Sequence, residues 1–253
     1  MVGTGNDFVV IDSAPTGNLP QLARRLCHRK LGVGADGLLL LEKCRQADLR
    51  MRIFNADGSE AEMCGNGARC AAYFSGKTKV RLLTQAGIIN AQVAGRQVKV
   101  ELTPARDIRL DIPLSLNRRM LKVNFINTGV PHAVIFVSGI DGIAVNELGQ
   151  AIRMHAAFQP RGTNVNFVEE KGAHLVRIRT YERGVEDETL ACGTGSTAAA
   201  LIFALKKGLD GLVKVQTQSG QILKISFIRE GREFRQVWLE GEVEIVYKGE
   251  YYV

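Results

Sequence analysis

Arg52-Ile-Phe-Asn-Ala-Asp-Gly-Ser-Glu-Ala-Glu-Met-Cys64-Gly-Asn-Gly67 and Arg179-Thr-Tyr-Glu-Arg-Gly-Val-Glu-Asp-Glu-Thr-Leu-Ala-Cys192-Gly-Thr-Gly195 follow one pattern: a strand-like start, an acidic turn, then Cys-Gly-x-Gly. The two cysteines stand 128 residues apart (192 − 64), about half the chain. Each is followed by small residues, over 68–74 and 196–205, that predict a helix.

Two weaker echoes occur in the same order. Thr4-Gly-Asn-Asp-Phe-Val-Val-Ile11 pairs with Thr128-Gly-Val-Pro-His-Ala-Val-Ile135, and Gly34-Ala-Asp-Gly-Leu-Leu-Leu-Leu-Glu42 aligns loosely with Gly162-Thr-Asn-Val-Asn-Phe-Val-Glu169. Three echoes in register imply duplication into two similar halves. Alternating apolar runs at 97–102, 175–179, 223–227 and 243–247 read as strands, so strand content is expected to exceed helix. The expected fold class is mixed α/β. The first half is expected over 1–112 and the second over 113–242, with the crossover in 104–113 and a last strand at about 243–253 that could pack on the first half.

The 253 residues suffice for a substantial core, and 45% hydrophobic with 23% charged residues is ordinary for a folded protein. No stretch approaches the roughly 18 consecutive apolar residues of a membrane span, and the start lacks the features of a signal peptide, so a cytoplasmic protein is expected. Five cysteines is an odd number and argues against a secreted disulfide framework. The net charge of +7 is spread without a run of five basic residues, which fits an anionic small molecule better than nucleic acid.

Each Cys-Gly-x-Gly segment places a thiol where a strand turns into a helix. The first N–H groups of a helix lack internal partners and the macrodipole adds positive charge there, which favours a thiolate and a bound carboxylate. Inverting an amino acid α-carbon needs a base on one face and an acid on the other, and two cysteines in different protonation states supply both. The same donors stabilise the charge that develops as the proton leaves, so no electron-sink cofactor is required. Cys27, Cys44 and Cys70 read as packing residues. Zinc is disfavoured because no Cys-x-x-Cys occurs.

Gly5-Asn-Asp-Phe, the Arg52 and Met63-Cys-Gly-Asn-Gly-Ala-Arg69 segments, and Tyr181-Glu-Arg-Gly through Ala191-Cys-Gly-Thr-Gly resemble the diaminopimelate epimerases, in order across essentially the whole chain. The resemblance implies two pseudo-symmetric halves, each a curved mixed sheet around a central helix, with the active site in the cleft between them. It implies interconversion of LL- and meso-diaminopimelate without pyridoxal phosphate or metal, a homodimer, and a place in lysine biosynthesis. Carried over by motif, Cys64 and Cys192 are base and acid. Gly65, Asn66, Gly193 and Thr194 donate to the carboxylate at the reacting centre, and Asn6, Asn55, Asn164 and Arg183 recognise the substrate, with Arg183 suited to the distal carboxylate. Glu182 receives the substrate ammonium, and His132 is an auxiliary that orients groups around a thiol.

Three features depart from the family pattern. Val130 stands where many relatives have an asparagine that holds the distal end of the substrate, Gly37 replaces a glutamine, and the first motif lacks several residues of preceding strand. The alternative is a proline or hydroxyproline racemase of the same fold group, whose first motif has histidine after Cys-Gly; here that position is Asn66.

Overall fold

The computed structural model describes residues 1–12, 17–116 and 119–252. It divides into two compact units, one made of 1–101 with 240–253 and the other of 102–239.

In the first unit β1 (Val2–Gly3) turns at Thr4 and Gly5 into antiparallel β2 (Asn6–Ile11). Both turn residues have positive φ, 58° and 82°, as a tight hairpin between right-twisted strands requires. β2 runs parallel to β3 (Gly37–Glu42), and the crossover holds α1 (Leu19–Cys27). Asn18 caps α1 by accepting from the Gln21 N–H, and its Ala23, Leu26 and Cys27 stripe packs on Leu38 and Phe54. β3 pairs antiparallel with β4 (Leu49–Asn55), which pairs with short β5 (Glu60–Ala61). After α2 (Gly65–Phe74), β6 (Lys79–Thr84) returns parallel to β4, and β7 (Gly87–Ala94) and β8 (Gln97–Glu101) continue as antiparallel hairpins.

The second unit begins with β9 (Arg106–Leu116) and antiparallel β10 (Arg119–Asn127). From there it repeats the first. β10 turns into antiparallel β11 (Pro131–Phe136), which is parallel to β12 (Asn164–Gly172) across a crossover holding α3 (Val145–Arg153). β12 is antiparallel to β13 (Leu175–Glu182), which pairs with short β14 (Asp187–Thr189). After α4 (Gly193–Lys207), β15 (Gly211–Gln216) returns parallel to β13 and pairs with β16 (Ile222–Glu230). Element by element, β1 through β7 with α2 match β10 through β16 with α4, in the same order and the same strand senses.

Composition explains the central helices. α2 and α4 are buried on nearly every side, and their Gly, Ala, Ser and Cys side chains are small enough for strands to pack all round them. α4 ends where Lys206 and Lys207 reach the surface and Gly208 takes a left-handed C-cap (φ 69°).

Two sequence expectations are corrected. Residues 106–116 are not a crossover but a full strand of the second unit, held to β10 by an antiparallel ladder, which puts the boundary at 101/102 rather than 112/113. The last strand, β17 (Glu233–Glu244), ends three residues short of the predicted 243–247 run: Val243 and Glu244 pair with Gly3 and Val2, and 245–252 is irregular. The tail 240–253 belongs to the first unit. No helix among the described residues is long and apolar enough to cross a membrane.

Candidate active site

Cys64 is the N-cap of α2, in extended conformation (φ −141°, ψ 122°), and its sulfur accepts from the Gly67 N–H at 3.5 Å. The Cys64 thiol donates to Asn6 Oδ1 at 3.8 Å, and Asn66 Nδ2 donates to the same oxygen at 3.3 Å. Asn6 opens β2 immediately after the strained hairpin turn, so that turn sets where its amide lies. Its Nδ2 donates to Asp36 at 2.6 Å, and Asp36 is in turn paired with Arg29 at 2.7 Å. The first unit thus brings Cys64, Gly65, Asn66 and Asn6 together. Asn55, at the exposed end of β4 and opposite Gly37 in the ladder, donates to Ser59 Oγ at 3.0 Å.

Cys192 is the corresponding N-cap of α4 (φ −119°, ψ 114°), buried, with its sulfur 3.5 Å from Thr194 Oγ1. Thr128, in the β10–β11 turn, donates to the Thr194 carbonyl at 3.0 Å, which fixes the first turn of α4. A Cβ on Gly195 would collide with Asn166 Oδ1 and press on Cys192 Sγ, so only glycine lets β12 lie this close to the helix start.

His132 and Asn164 are partners across the parallel β11–β12 ladder. Asn164 donates to the Pro131 carbonyl at 3.1 Å and accepts from the Arg183 N–H at 2.8 Å, which ties β12 to the residue after β13. The Arg183 guanidinium donates to the Arg161 carbonyl at 2.9 Å. Glu182, the last residue of β13, accepts from Thr189 Oγ1 at 3.1 Å. Val130 lies half-buried in the β10–β11 turn, where its carbonyl accepts from the Thr128 N–H.

His132 is fully buried. Burial, with a smaller contribution from the Arg183 charge, pushes its pKa down to about 3, so it is neutral at every ordinary pH. Burial has the opposite effect on two other thiols: Cys27 is pushed up to about 11 and Cys70 to about 12. Both are buried in helices and remain thiols, as packing residues would. Among the described residues, no three His, Cys, Asp or Glu side chains group closely enough to hold a metal ion.

Three residues that sequence reasoning did not single out belong to these two constellations. Asn166 is fully buried and donates to the Ala133 carbonyl, while Thr180 donates to its Oδ1 at 3.1 Å. Arg69, fully buried, donates to Thr4 Oγ1 at 2.7 Å and to Asn66 Oδ1 at 2.9 Å. The available signal was polar residues on apolar-facing positions: Asn166 and Thr180 fall on the inward phase of their strands, and Arg69 lies within a run of small helix residues.

Comparison with known proteins gives a consistent result. The sequence profile of the diaminopimelate epimerase family matches residues 1–108 and 124–246. The diaminopimelate epimerase of Aquifex aeolicus is 44% identical over 98% of this chain and 94% of its own length, and that of Chlorobaculum tepidum is 42% identical over 98% of each. Among solved structures, a phenazine biosynthesis protein of the PhzF family from Bacillus anthracis superposes with a TM-score of 0.75 at 17% identity, covering 96% of this chain and 92% of that one. A probable proline racemase from Agrobacterium radiobacter gives 0.70 at 20% identity, covering 95% and 87%. At these identities the structural matches establish the mixed α/β fold alone.

Proposed function

The chain belongs to the diaminopimelate epimerase family, a family of isomerases, and from that premise we propose that it interconverts LL-2,6-diaminopimelate and meso-2,6-diaminopimelate. In this reading one cysteine of the pair Cys64 and Cys192, as thiolate, removes the α-proton, and the other, as thiol, delivers a proton to the opposite face. The reverse reaction exchanges their roles.

The observation that supports it is the repetition: each half of the chain presents one cysteine as N-cap of its buried central helix. A helix start offers N–H donors and positive dipole charge both to a thiolate and to the substrate carboxylate. Removal of the α-proton builds negative charge on that carboxylate, and donors fixed in advance stabilise it without reorganisation. Gly65 and Asn66 on α2, and Gly193 and Thr194 on α4, are the residues whose backbone would serve. Asn6, Asn55, Asn164 and Arg183 would recognise the rest of the substrate, Glu182 its ammonium, with His132 as a neutral auxiliary. The product would serve lysine biosynthesis and, in many bacteria, the cell wall.

The test is incubation of reduced protein with LL-diaminopimelate and no added cofactor, with L-proline and trans-4-hydroxy-L-proline in parallel, followed by chiral separation. Formation of the meso isomer with both proline compounds unchanged is expected. Inversion of a proline compound with diaminopimelate inert would move the assignment to a proline-type racemase.

A further inference from the structure

Arg69 is the largest fully buried side chain of the first unit, and no carboxylate pairs with it among the described residues. Its Nη2 donates to Thr4 Oγ1 at 2.7 Å and Asn66 Oδ1 at 2.9 Å, while Nε and Nη1 make no hydrogen bond among the described residues. A buried guanidinium is costly unless an opposite charge answers it. The helix α4 has no counterpart: the position five residues after Cys192 is Thr197, a neutral side chain that donates to the Gly193 carbonyl at 2.9 Å.

Two structural facts place Arg69 in service of Cys64. Through Thr4 it grips a turn whose residue is held at φ 58°, a conformation that costs a non-glycine residue on the order of 1 kcal/mol or more and persists only when its surroundings impose it. That turn delivers Asn6. Through Asn66 it grips the first turn of α2. Asn6 Oδ1 is where the two grips meet, since it accepts from both Asn66 Nδ2 and Cys64 Sγ. Gly3 makes room for this, because a side chain there would meet the Asn66 carbonyl and Cys70 Sγ at 3.2 and 3.3 Å.

We propose that Arg69 is a positioning residue that fastens the Thr4-Gly5-Asn6 turn to the start of α2 and supplies the buried counter-charge for the Cys64 thiolate. The guanidinium is linked to the Cys64 sulfur through Asn66 and Asn6: Asn66 accepts from Arg69 Nη2 and shares Asn6 Oδ1 with the Cys64 thiol. Cys70, the next residue along α2, is fully buried and held as a thiol. Other charged groups by this turn include the Met1 ammonium, which acts on Cys70, and Asp36, which accepts from Asn6 and, together with Asp7, pairs with Arg29. The inference rests on the reading of Cys64 as an acid–base group.

The test is carbamidomethylation by iodoacetamide as a function of pH, with each modified cysteine identified by peptide mass spectrometry, in the wild type, Arg69→Met and Arg69→Lys. It needs no substrate, so failure of the diaminopimelate assignment would not disturb it. In the wild type, Cys64 is expected to react half-maximally at least one pH unit below the ordinary thiol value of about 8.5. Arg69→Met should raise that midpoint by about one unit, Arg69→Lys should largely preserve it, and Cys70 should stay unreactive in all three. An ordinary Cys64 midpoint in the wild type overturns the proposal whether or not the variants fold. So does an unmoved midpoint in Arg69→Met, or a Cys70 that becomes as reactive as Cys64, which would mark Arg69 as packing alone.

Discussion

The Nδ2 of Asn166 lies 3.1 Å from Nδ1 of His132, inside the second unit, with both side chains fully buried. An amide nitrogen is only a donor, so His132 Nδ1 accepts and the ring proton sits on Nε2. That N–H has no partner among the described residues and is the ring's one uncommitted group.

This arrangement gives a pH dependence of stability. The folded pKa of His132, about 3, lies below its unfolded value near 6.5, so between these limits the unfolded chain binds a proton that the folded chain does not. Stability is therefore full above about pH 6.5 and falls as pH drops through that window, by about 2 kcal/mol between pH 7 and 5. Urea unfolding of wild type and His132→Gln at the two pH values should show the difference in wild type and a smaller one in the variant. Equal pH sensitivity would place the effect elsewhere.

Gly195→Ala should be more disruptive than Gly67→Ala, although the two glycines are equivalent in the repeat. At 195 the added carbon meets Asn166 Oδ1, which is held by Thr180; at 67 it meets the tip of Leu39 at 3.1 Å, a flexible side chain. Overpacking costs about 1–3 kcal/mol where neighbours cannot yield. Denaturant midpoints should separate the variants in that order, and epimerase activity should fall further in Gly195→Ala, where Cys192 is also pressed.

A repeated ion pair offers a second comparison. Arg52 with Glu60 and Arg179 with Glu188 each join a long strand to the short strand after it, at 2.7 and 2.6 Å. Arg179 also donates to the carbonyls of Ile140 and Ile143. Arg179→Met removes the donor from Glu188 and from the Ile143 carbonyl, while the Ile140 carbonyl keeps the Ile143 N–H, and should cost about 2–4 kcal/mol, against about 1 kcal/mol for Arg52→Met. Equal losses would show that the extra carbonyl contacts contribute nothing.

Asn55 and Asn164 should divide binding from structure. The Asn55 side chain is exposed and bonds to Ser59, so Asn55→Ala should change stability by less than about 0.5 kcal/mol while raising KM. Asn164 holds both the Pro131 carbonyl and the Arg183 N–H, so Asn164→Ala should lower stability by about 1–2 kcal/mol as well as activity.

The two cysteines, their helices and the duplication were legible because Cys-Gly-x-Gly recurs at half the chain length and glycine marks a backbone constraint. The strand at 106–116 was not, because Asp107 and Asp111 take positive φ where the ladder shifts register, which breaks the alternation a strand shows in sequence. Arg69, Asn166 and Thr180 were overlooked for another reason. A polar side chain on an inward phase shows that something must satisfy it, but the partner lies in a distant segment: Thr4 is 65 residues from Arg69. β17 ends at Glu244, where its pairing with β1 ends, and not where its own alternating sequence does.

The central claim is that two thiols share the proton transfer. It is tested most directly by following LL-diaminopimelate in D2O with wild type, Cys64→Ala and Cys192→Ala, reading both stereoisomer and α-deuterium. The account predicts meso product carrying deuterium at the inverted carbon in wild type, and a loss of epimerisation of at least about a hundredfold in each variant. Near-normal epimerisation by either variant would contradict it.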